Sequence, residues 1–157
     1  MARNTANITI TDDTRDKGKV YVLTEMPSAK SESWAARAIM AMIKSGIQLP
    51  PGFDRLGMAG LAEVGLQSLS GLKWEDAELL LKEMLDCVQI MPDPSKPHIV
   101  RALMVDDDIE ELSTRIKLRA EVWKLHVGFL KAVAPSISAQ MATAQQKPSR
   151  TTRTSRM

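Results

Sequence analysis

Residues 74–88, WEDAELLLKEMLDCV, decide the predicted fold class. Apolar side chains recur in this stretch at the three- and four-residue spacing of one helix face, namely Ala77, Leu80, Leu81, Met84, Leu85 and Val88. Glu75 and Asp76 lie in the first turn, where the helix dipole favours negative charge. The stretch therefore predicts an amphipathic helix with one face directed at a core.

Two further stretches have the same helical pattern. Residues 27–45 start with Pro27, which suits a first helical turn, and Gly46 follows in the position that often ends a helix. Its apolar set is Trp34, Ala35, Ala38, Ile39, Met42 and Ile43. Residues 108–133 start with the capping-box spacing of Asp108 and Glu111. The expected buried positions there are Ile109, Leu112, Ile116, Val122, Trp123, Val127 and Leu130.

Residues 53–69 are a weaker helical segment because they contain Gly57, Gly60 and Gly65. Each glycine costs a helix about 1 kcal/mol relative to alanine. The glycines therefore indicate either a close approach by another helix or a break near Gly57. Residues 98–105 are short and apolar, which indicates a strand or an extended packing segment.

Residues 8–26 predict a β-hairpin. Ile8 and Ile10 alternate with threonines, and Val20 and Val22 follow a charged link that contains a glycine. A two-stranded hairpin is marginal alone, so we expect it to dock on the helices or on a partner. An open edge would offer backbone hydrogen bonds to another chain.

These patterns predict a mainly α fold, a small helical domain with an N-terminal β-hairpin and a disordered C-terminal tail. The expected domain organisation is a disordered segment 1–7, one α-rich domain 8–134 and a disordered basic tail 135–157. Within the domain, 8–26 form the hairpin and 27–134 the helices. No apolar run approaches the length of about 20 residues that spans a bilayer. With no apolar signal sequence at the start, the expected location is the cytoplasm.

The net charge of +2 is unevenly distributed. From residue 135 onward the sequence has no acidic residue and four basic ones, Lys147, Arg150, Arg153 and Arg156, which leaves 17 basic against 19 acidic residues before it. These four side chains could make weak, salt-sensitive contacts with nucleic acid. The tail has no aromatic residue to stack on bases, so a solvated end is the favoured interpretation and nucleic acid an unlikely partner.

No pattern of residues predicts catalysis, a cofactor or a metal site, so the chain is expected not to be an enzyme. His98 and His126 have no nearby ligands at zinc spacing. Cys87 lies beside an apolar helical stripe and is interpreted as a small buried hydrophobe, and as the single cysteine it excludes an internal disulfide. The acidic run 106–108 could hold a hard cation, but a helix cap explains it with fewer assumptions.

The three tryptophans, Trp34, Trp74 and Trp123, are the candidate partner-binding residues. Each lies on a predicted helix, so the favoured interpretation is that they anchor the core. The alternative is that one of them is exposed as a binding hot spot, a role in which tryptophan is enriched. The whole chain has 10 Met and only 4% aromatic residues, a composition that suits an adaptable surface for amphipathic helices.

Four stretches carry a resemblance to a known family. Residues 18–28, GKVYVLTEMPS, lead to 34–38, WAARA, and together they resemble the start of the tail assembly chaperones of long-tailed (siphovirus-type) bacteriophages. Residues 80–94 and 107–118 are also similar to related phage proteins. The resemblance covers about residues 18–130, and its motifs are structural rather than catalytic.

The resemblance implies a chaperone that acts in the host cytoplasm during phage tail assembly. Such a protein binds the tape measure protein and helps recruit tail tube subunits, and a frameshifted, extended form contacts the tail tube protein. Two other functions stay open. The chain could be a structural virion protein, a tail or head–tail completion component, or a small nucleic-acid-binding or regulatory protein that acts through its basic tail.

Overall fold

An antiparallel sheet and several helices make up the part of the chain that this computed structural model describes, residues 3–48, 51 and 66–127. In chain order the elements are β1 (Thr5–Thr9), β2 (Val20–Thr24), α1 (Ser28–Lys44), a 3₁₀ helix (Leu66–Gly71), α2 (Trp74–Leu85), β3 (Val88–Met91), β4 (Arg101–Ala102), the short helix α3 (Val105–Asp108) and α4 (112–127). Within these residues, no helix is both long enough and apolar enough to cross a bilayer.

The fold is mixed α/β, so the prediction of a mainly α fold was wrong. The four strands form one sheet in the order β1-β2-β3-β4, and every neighbouring pair is antiparallel. The error lies in residues 88–91, whose apolar side chains extend the pattern of the preceding helix. Helix α2 in fact ends at Leu85 and β3 begins at Val88. A short apolar run fits a strand or a helix equally well, so periodicity alone could not separate them.

The predicted hairpin is present, although it starts earlier than expected. Strand β1 begins at Thr5, and Thr5 pairs with Thr24. The prediction that residues 1–7 are disordered is therefore wrong for residues 5–7. The pairing is favoured because Ala6 lies opposite the buried Leu23, which extends the apolar face of the sheet.

One face of the sheet packs against the helices and forms the core. Side chains that point to this face include Ile8, Ile10, Tyr21, Leu23, Val88 and Ile90. The helices contribute Trp34, Ala35, Ala38, Ile39 and Met42 from α1, Leu80, Met84 and Leu85 from α2, and Leu118, Val122, Trp123 and Val127 from α4. The sequence patterns thus identified most core residues of the helices correctly.

The end of α1 confirms one prediction and corrects another. Gly46 has a φ of 78°, the left-handed conformation that closes a helix at low cost for glycine, as predicted. Ile43, which was expected on the buried face, is exposed, and Ala41 is buried in its place.

The predicted capping box at Asp108 is wrong. The Asp108 carboxylate instead accepts two hydrogen bonds from the Arg101 guanidinium, both 2.7 Å, and one from the backbone N–H of Met104. Helix α4 begins only at residue 112, so Asp108 lies too far before its first turn to cap it.

The carboxylate at the start of α4 comes from Asp16, in the loop of the hairpin. Its two oxygens accept the backbone N–H groups of Glu110 and Glu111, both at 3.0 Å, and the Lys19 ammonium lies 2.8 Å away. Burial by itself raises the pKa of the Asp16 carboxyl, but the hydrogen bonds from Lys19 and from the Glu110 backbone outweigh it and lower the pKa to about 2. This buried carboxylate fixes the hairpin loop to the helix.

Several predictions lie outside the described residues. These are the glycines Gly57, Gly60 and Gly65, the end of the last predicted helix with Leu130, and the tail 135–157. Of the segment 53–69, the structure describes the backbone from Leu66, which forms a 3₁₀ helix.

Candidate partner-binding groove

Eight large apolar side chains are exposed in the described structure, namely Met40, Ile43, Trp74, Leu79, Ile99, Met104, Leu112 and Ile116. Single exposed apolar residues are ordinary on a protein surface. An exposed apolar residue that lines a groove is more informative, because contiguous apolar surface marks binding sites.

A groove of about 220 Å³ lies beside α2 on the side of α4. It is lined by Leu69, Ser70, Leu81, Ile116 and Arg119. The Nε–H of Arg119 donates to the backbone oxygen of Leu81 at 3.3 Å, which ties α4 to α2 along one wall of the groove. We call this feature the α2–α4 groove.

The exposed residues of α4 belong to the same face that the helix buries further along. Ile116 and Trp123 are seven residues, or two turns, apart and therefore point in the same direction. Trp123 is 7% exposed, whereas Ile116 is 57% exposed and Leu112, one turn earlier, is 69% exposed. The prediction that Leu112 and Ile116 are buried was therefore wrong. The apolar stripe of α4 extends beyond the surface that covers it.

The three tryptophans are not brought together. Trp34 and Trp123 meet edge to face in the core with ring centroids 6.0 Å apart, and the indole N–H of Trp34 donates to the backbone oxygen of Leu80. Trp74 is instead 66% exposed at the start of α2. It precedes Leu81 by two turns, so both side chains leave α2 on the same flank. Trp74 is thus the tryptophan placed on the flank that carries the groove.

The charge at this groove is positive. Burial, and after it the neighbouring Arg115, lowers the pKa of the Arg119 guanidinium, which is partly desolvated. Among the residues that the structure describes, no carboxylate lies within ion-pair distance of Arg119 or Arg115. A carboxylate placed there by a partner would therefore meet a partly desolvated cation that has no counter-charge among the described residues.

A second groove, on the α1 side of α2, differs in its charges. It has a volume of about 260 Å³ and its walls include Met40 and Leu79. Arg37 pairs with Glu83 at 2.6 Å, and Lys44 pairs with Asp76 at 3.2 Å. Both cations that line this groove are therefore already paired within the protein, unlike Arg119 in the α2–α4 groove.

The chemically reactive side chains have structural roles. Burial raises the pKa of the Cys87 thiol to about 11, and its S–H donates to the backbone oxygen of Glu83. The thiol is therefore protonated at neutral pH and a poor nucleophile. His126 ties the link before α1 to α4, because its Nε2 accepts the backbone N–H of Met26 at 2.8 Å, while its Nδ1 lies 2.8 Å from the Val122 oxygen of the same helix.

A pocket of about 380 Å³ lies at the ends of β2 and β3 and includes Cys87 in its wall. Its size suits a small molecule, but its charged lining mixes both signs, with Arg3 and Lys30 against Glu25 and Asp86. It therefore indicates no particular ligand. In residues 3–48, 51 and 66–127, no three His, Cys, Asp or Glu side chains are grouped to hold a metal ion.

Sequence reasoning missed Leu81, Arg119 and Leu69 as groove residues. The available signal was the apolar stripe of α4, which is longer than the stripe of α2 that could cover it. The basic tail residues Lys147, Arg150, Arg153 and Arg156 lie outside the described part of the chain. Comparison of the chain with protein-family models, with curated proteins and with solved structures finds no match.

Proposed function

We propose that this protein is a non-catalytic binding protein whose α2–α4 groove receives the apolar face of a partner helix. Together with the sequence resemblance, this leads us to propose a phage tail assembly chaperone. Its client is the tape measure protein, and it helps to recruit tail tube subunits to that client.

The observation that carries the proposal is the uncovered apolar stripe of α4. Leu112 and Ile116 extend the buried face of that helix into solvent, beside a groove with Leu81 in its wall. An amphipathic helix with apolar side chains at three- and four-residue spacing fits such a groove. The exposed Trp74, on the same flank of α2, provides a rigid aromatic surface of the kind that dominates binding energies.

The charge of the groove narrows the class of partner. Arg119 and Arg115 favour a helix with an acidic residue at the edge of its apolar stripe. An ion pair formed in a partly desolvated site contributes more to binding than one formed in water. We therefore propose an amphipathic, acidic-flanked helix as the bound segment of the client.

The test is co-expression with the tape measure protein of the same phage, followed by affinity purification. Wild-type protein is expected to raise the soluble yield of its client and to co-purify with it. The variant Ile116→Asp should lose the client, because it places a charge in the apolar groove. The matched control is Leu79→Asp, which changes a similarly exposed leucine (51%) on the other flank of α2 and should retain the client.

Circular dichroism and urea unfolding of both variants establish that the fold is intact, since exposed positions usually change stability by less than about 0.5 kcal/mol. If wild-type protein and client never associate, the chaperone proposal fails. If Leu79→Asp abolishes binding and Ile116→Asp does not, the groove assignment fails. Mass spectrometry of purified virions gives a further check, because a stoichiometric amount of this chain in mature particles would favour a structural virion protein instead.

A further inference from the structure

Among the residues that the structure describes, strand β1 pairs only with β2 and is the outermost strand of the sheet, so its other edge has no strand beside it. The alternation of an antiparallel ladder determines which of its backbone groups are free. The oxygen of Asn4 accepts the N–H of Glu25, and the N–H of Ile10 donates to the oxygen of Lys19, so the even-numbered residues bond to β2. The N–H and C=O groups of Thr5, Asn7 and Thr9 therefore point away from the sheet.

This edge has none of the usual features that block pairing with another chain. Natural edge strands are commonly protected by a charged side chain, a proline or a bulge. The sequence of β1, TANIT, contains no charge and no proline, and its five residues pair with β2 in unbroken register. The side chains of Thr5, Asn7 and Thr9 are exposed, while those of Ala6 and Ile8 are half-buried on the core face.

The edge is also complementary to itself. If a second copy lies antiparallel with Asn7 on the two-fold axis, Thr5 faces Thr9 of that copy and Asn7 faces its own equivalent. Three outward-facing pairs then exchange about six backbone hydrogen bonds. On the core face, Ala6 lies opposite Ile8 of the second copy, which joins the two apolar faces. Apart from the Asn7 pair on the axis, each contact occurs twice, as an isologous interface requires.

The charges beyond the two ends of the strand favour this antiparallel arrangement. Arg3, which precedes β1, would lie near Thr11 of the second copy, where the hairpin loop that carries Asp12 and Asp13 begins. The side chains of Arg3 and Asp13 are exposed and make contacts within their own chain at the surface, Arg3 with the backbone oxygen of Glu25 at 3.3 Å and Asp13 with Lys17 at 3.0 Å. A parallel, in-register arrangement would instead bring the two Arg3 side chains together.

We infer that β1 pairs with β1 of a second copy of this chain, so that two four-stranded sheets join into one continuous eight-stranded sheet. This interface lies at the β1 edge of the sheet and not at the α2–α4 groove, so it does not depend on the proposed function. An edge of five residues buries less than the roughly 800 Å² per partner of a standard interface. The dimer is therefore weak, with a dissociation constant in the micromolar range.

Two variants test the pairing on the full-length chain by sedimentation velocity. Asn7→Pro removes an outward N–H that β2 does not use, and Asn7→Lys places two like charges beside each other at the two-fold axis. Wild-type protein should be monomeric at about 1 µM and largely dimeric at about 200 µM. Both variants should raise the dissociation constant at least tenfold. The control Asn7→Thr, which is neutral and favours strands, should leave it unchanged.

Amide hydrogen exchange gives an independent readout. At low concentration Ala6 and Ile8 should be protected and Thr5, Asn7 and Thr9 should exchange freely. At high concentration the second group should become protected as well. A wild-type chain that stays monomeric at about 200 µM, dimers that persist in Asn7→Lys, or amides at 5, 7 and 9 that never gain protection would each overturn the inference.

Discussion

Replacement of Asp16 by Asn should destabilise the protein strongly although it changes only one oxygen to an NH₂ group. The Asp16 carboxylate is fully buried and accepts hydrogen bonds from Lys19, from the N–H groups of Glu110 and Glu111, and from the Thr114 side chain. An asparagine has one acceptor oxygen, so its NH₂ group would face one of these donors, and Lys19 would lose its nearest counter-charge. The variant therefore affects both the start of α4 and the attachment of the hairpin loop.

The magnitude follows from the pKa of Asp16. Folding lowers it from 3.8 to about 2, which corresponds to about 2 kcal/mol of stabilisation by the ionised form. An unsatisfied buried donor adds a cost of about 1–3 kcal/mol. We therefore expect Asp16→Asn to lower the free energy of unfolding by about 3–5 kcal/mol. With a urea m value of about 1–3 kcal/mol/M, the unfolding midpoint falls by about 1 to 5 M.

The lowered pKa of Asp16 also predicts how the stability of the protein changes with pH. Because the folded-state pKa of Asp16 is below its unfolded value, the stabilisation is complete well above pH 3.8 and is lost as the pH falls through about 2. The stability difference between wild type and Asp16→Asn should therefore shrink by about 1.5 kcal/mol between about pH 5 and about pH 2.5.

Asp13→Asn is the matched control. It changes an acidic residue of the same loop whose side chain is 95% exposed and pairs with Lys17 on the surface. Its effect should stay below about 0.5 kcal/mol. If the two variants are equally stable, or if the stability difference between them does not change with pH, then the ionised Asp16 carboxylate is not what stabilises the start of α4.

Two further predictions concern single side chains. Trp123→Ala should lower the free energy of unfolding by about 3–5 kcal/mol because it opens a cavity in the core, whereas Trp74→Ala should change it by less than about 0.5 kcal/mol, as measured by urea unfolding. His126→Phe leaves the N–H of Met26 without its acceptor and should lower the free energy of unfolding by about 1–3 kcal/mol. His98 is exposed, so His98→Phe should be nearly neutral, and thermal unfolding measures both effects. Equal effects within either pair would contradict the burial and hydrogen bonding on which these expectations rest.

The candidate site was only partly predictable from the sequence. Trp74 was among the proposed partner-binding residues, but nothing in its sequence context distinguished it from Trp34 and Trp123, since all three lie on amphipathic helices. Leu112 and Ile116 fit the buried stripe of α4 and are nevertheless exposed. Periodicity reports which residues share a helix face, whereas exposure depends on how far the neighbouring helix extends.

The sequence by itself determined the local structure wherever a single residue, or the spacing of apolar residues along one element, was sufficient to specify it. The apolar spacing specified the helix that starts at Trp74, Gly46 specified the end of α1, and the alternation around Val20 and Val22 specified a hairpin strand. These features depend on residues within a few positions of each other, so local patterns contain the necessary information.

Only the tertiary structure decided the fold class and the cap of α4. Strand β3 forms because Val88 and Ile90 pair with Leu23 and Tyr21, more than 60 residues earlier in the chain. The start of α4 is held by Asp16, 94 residues before the N–H of Glu110 that it accepts. Which distant residues meet depends on core packing and on the need for buried polar groups to form hydrogen bonds. Neither can be recognised in a short stretch of sequence.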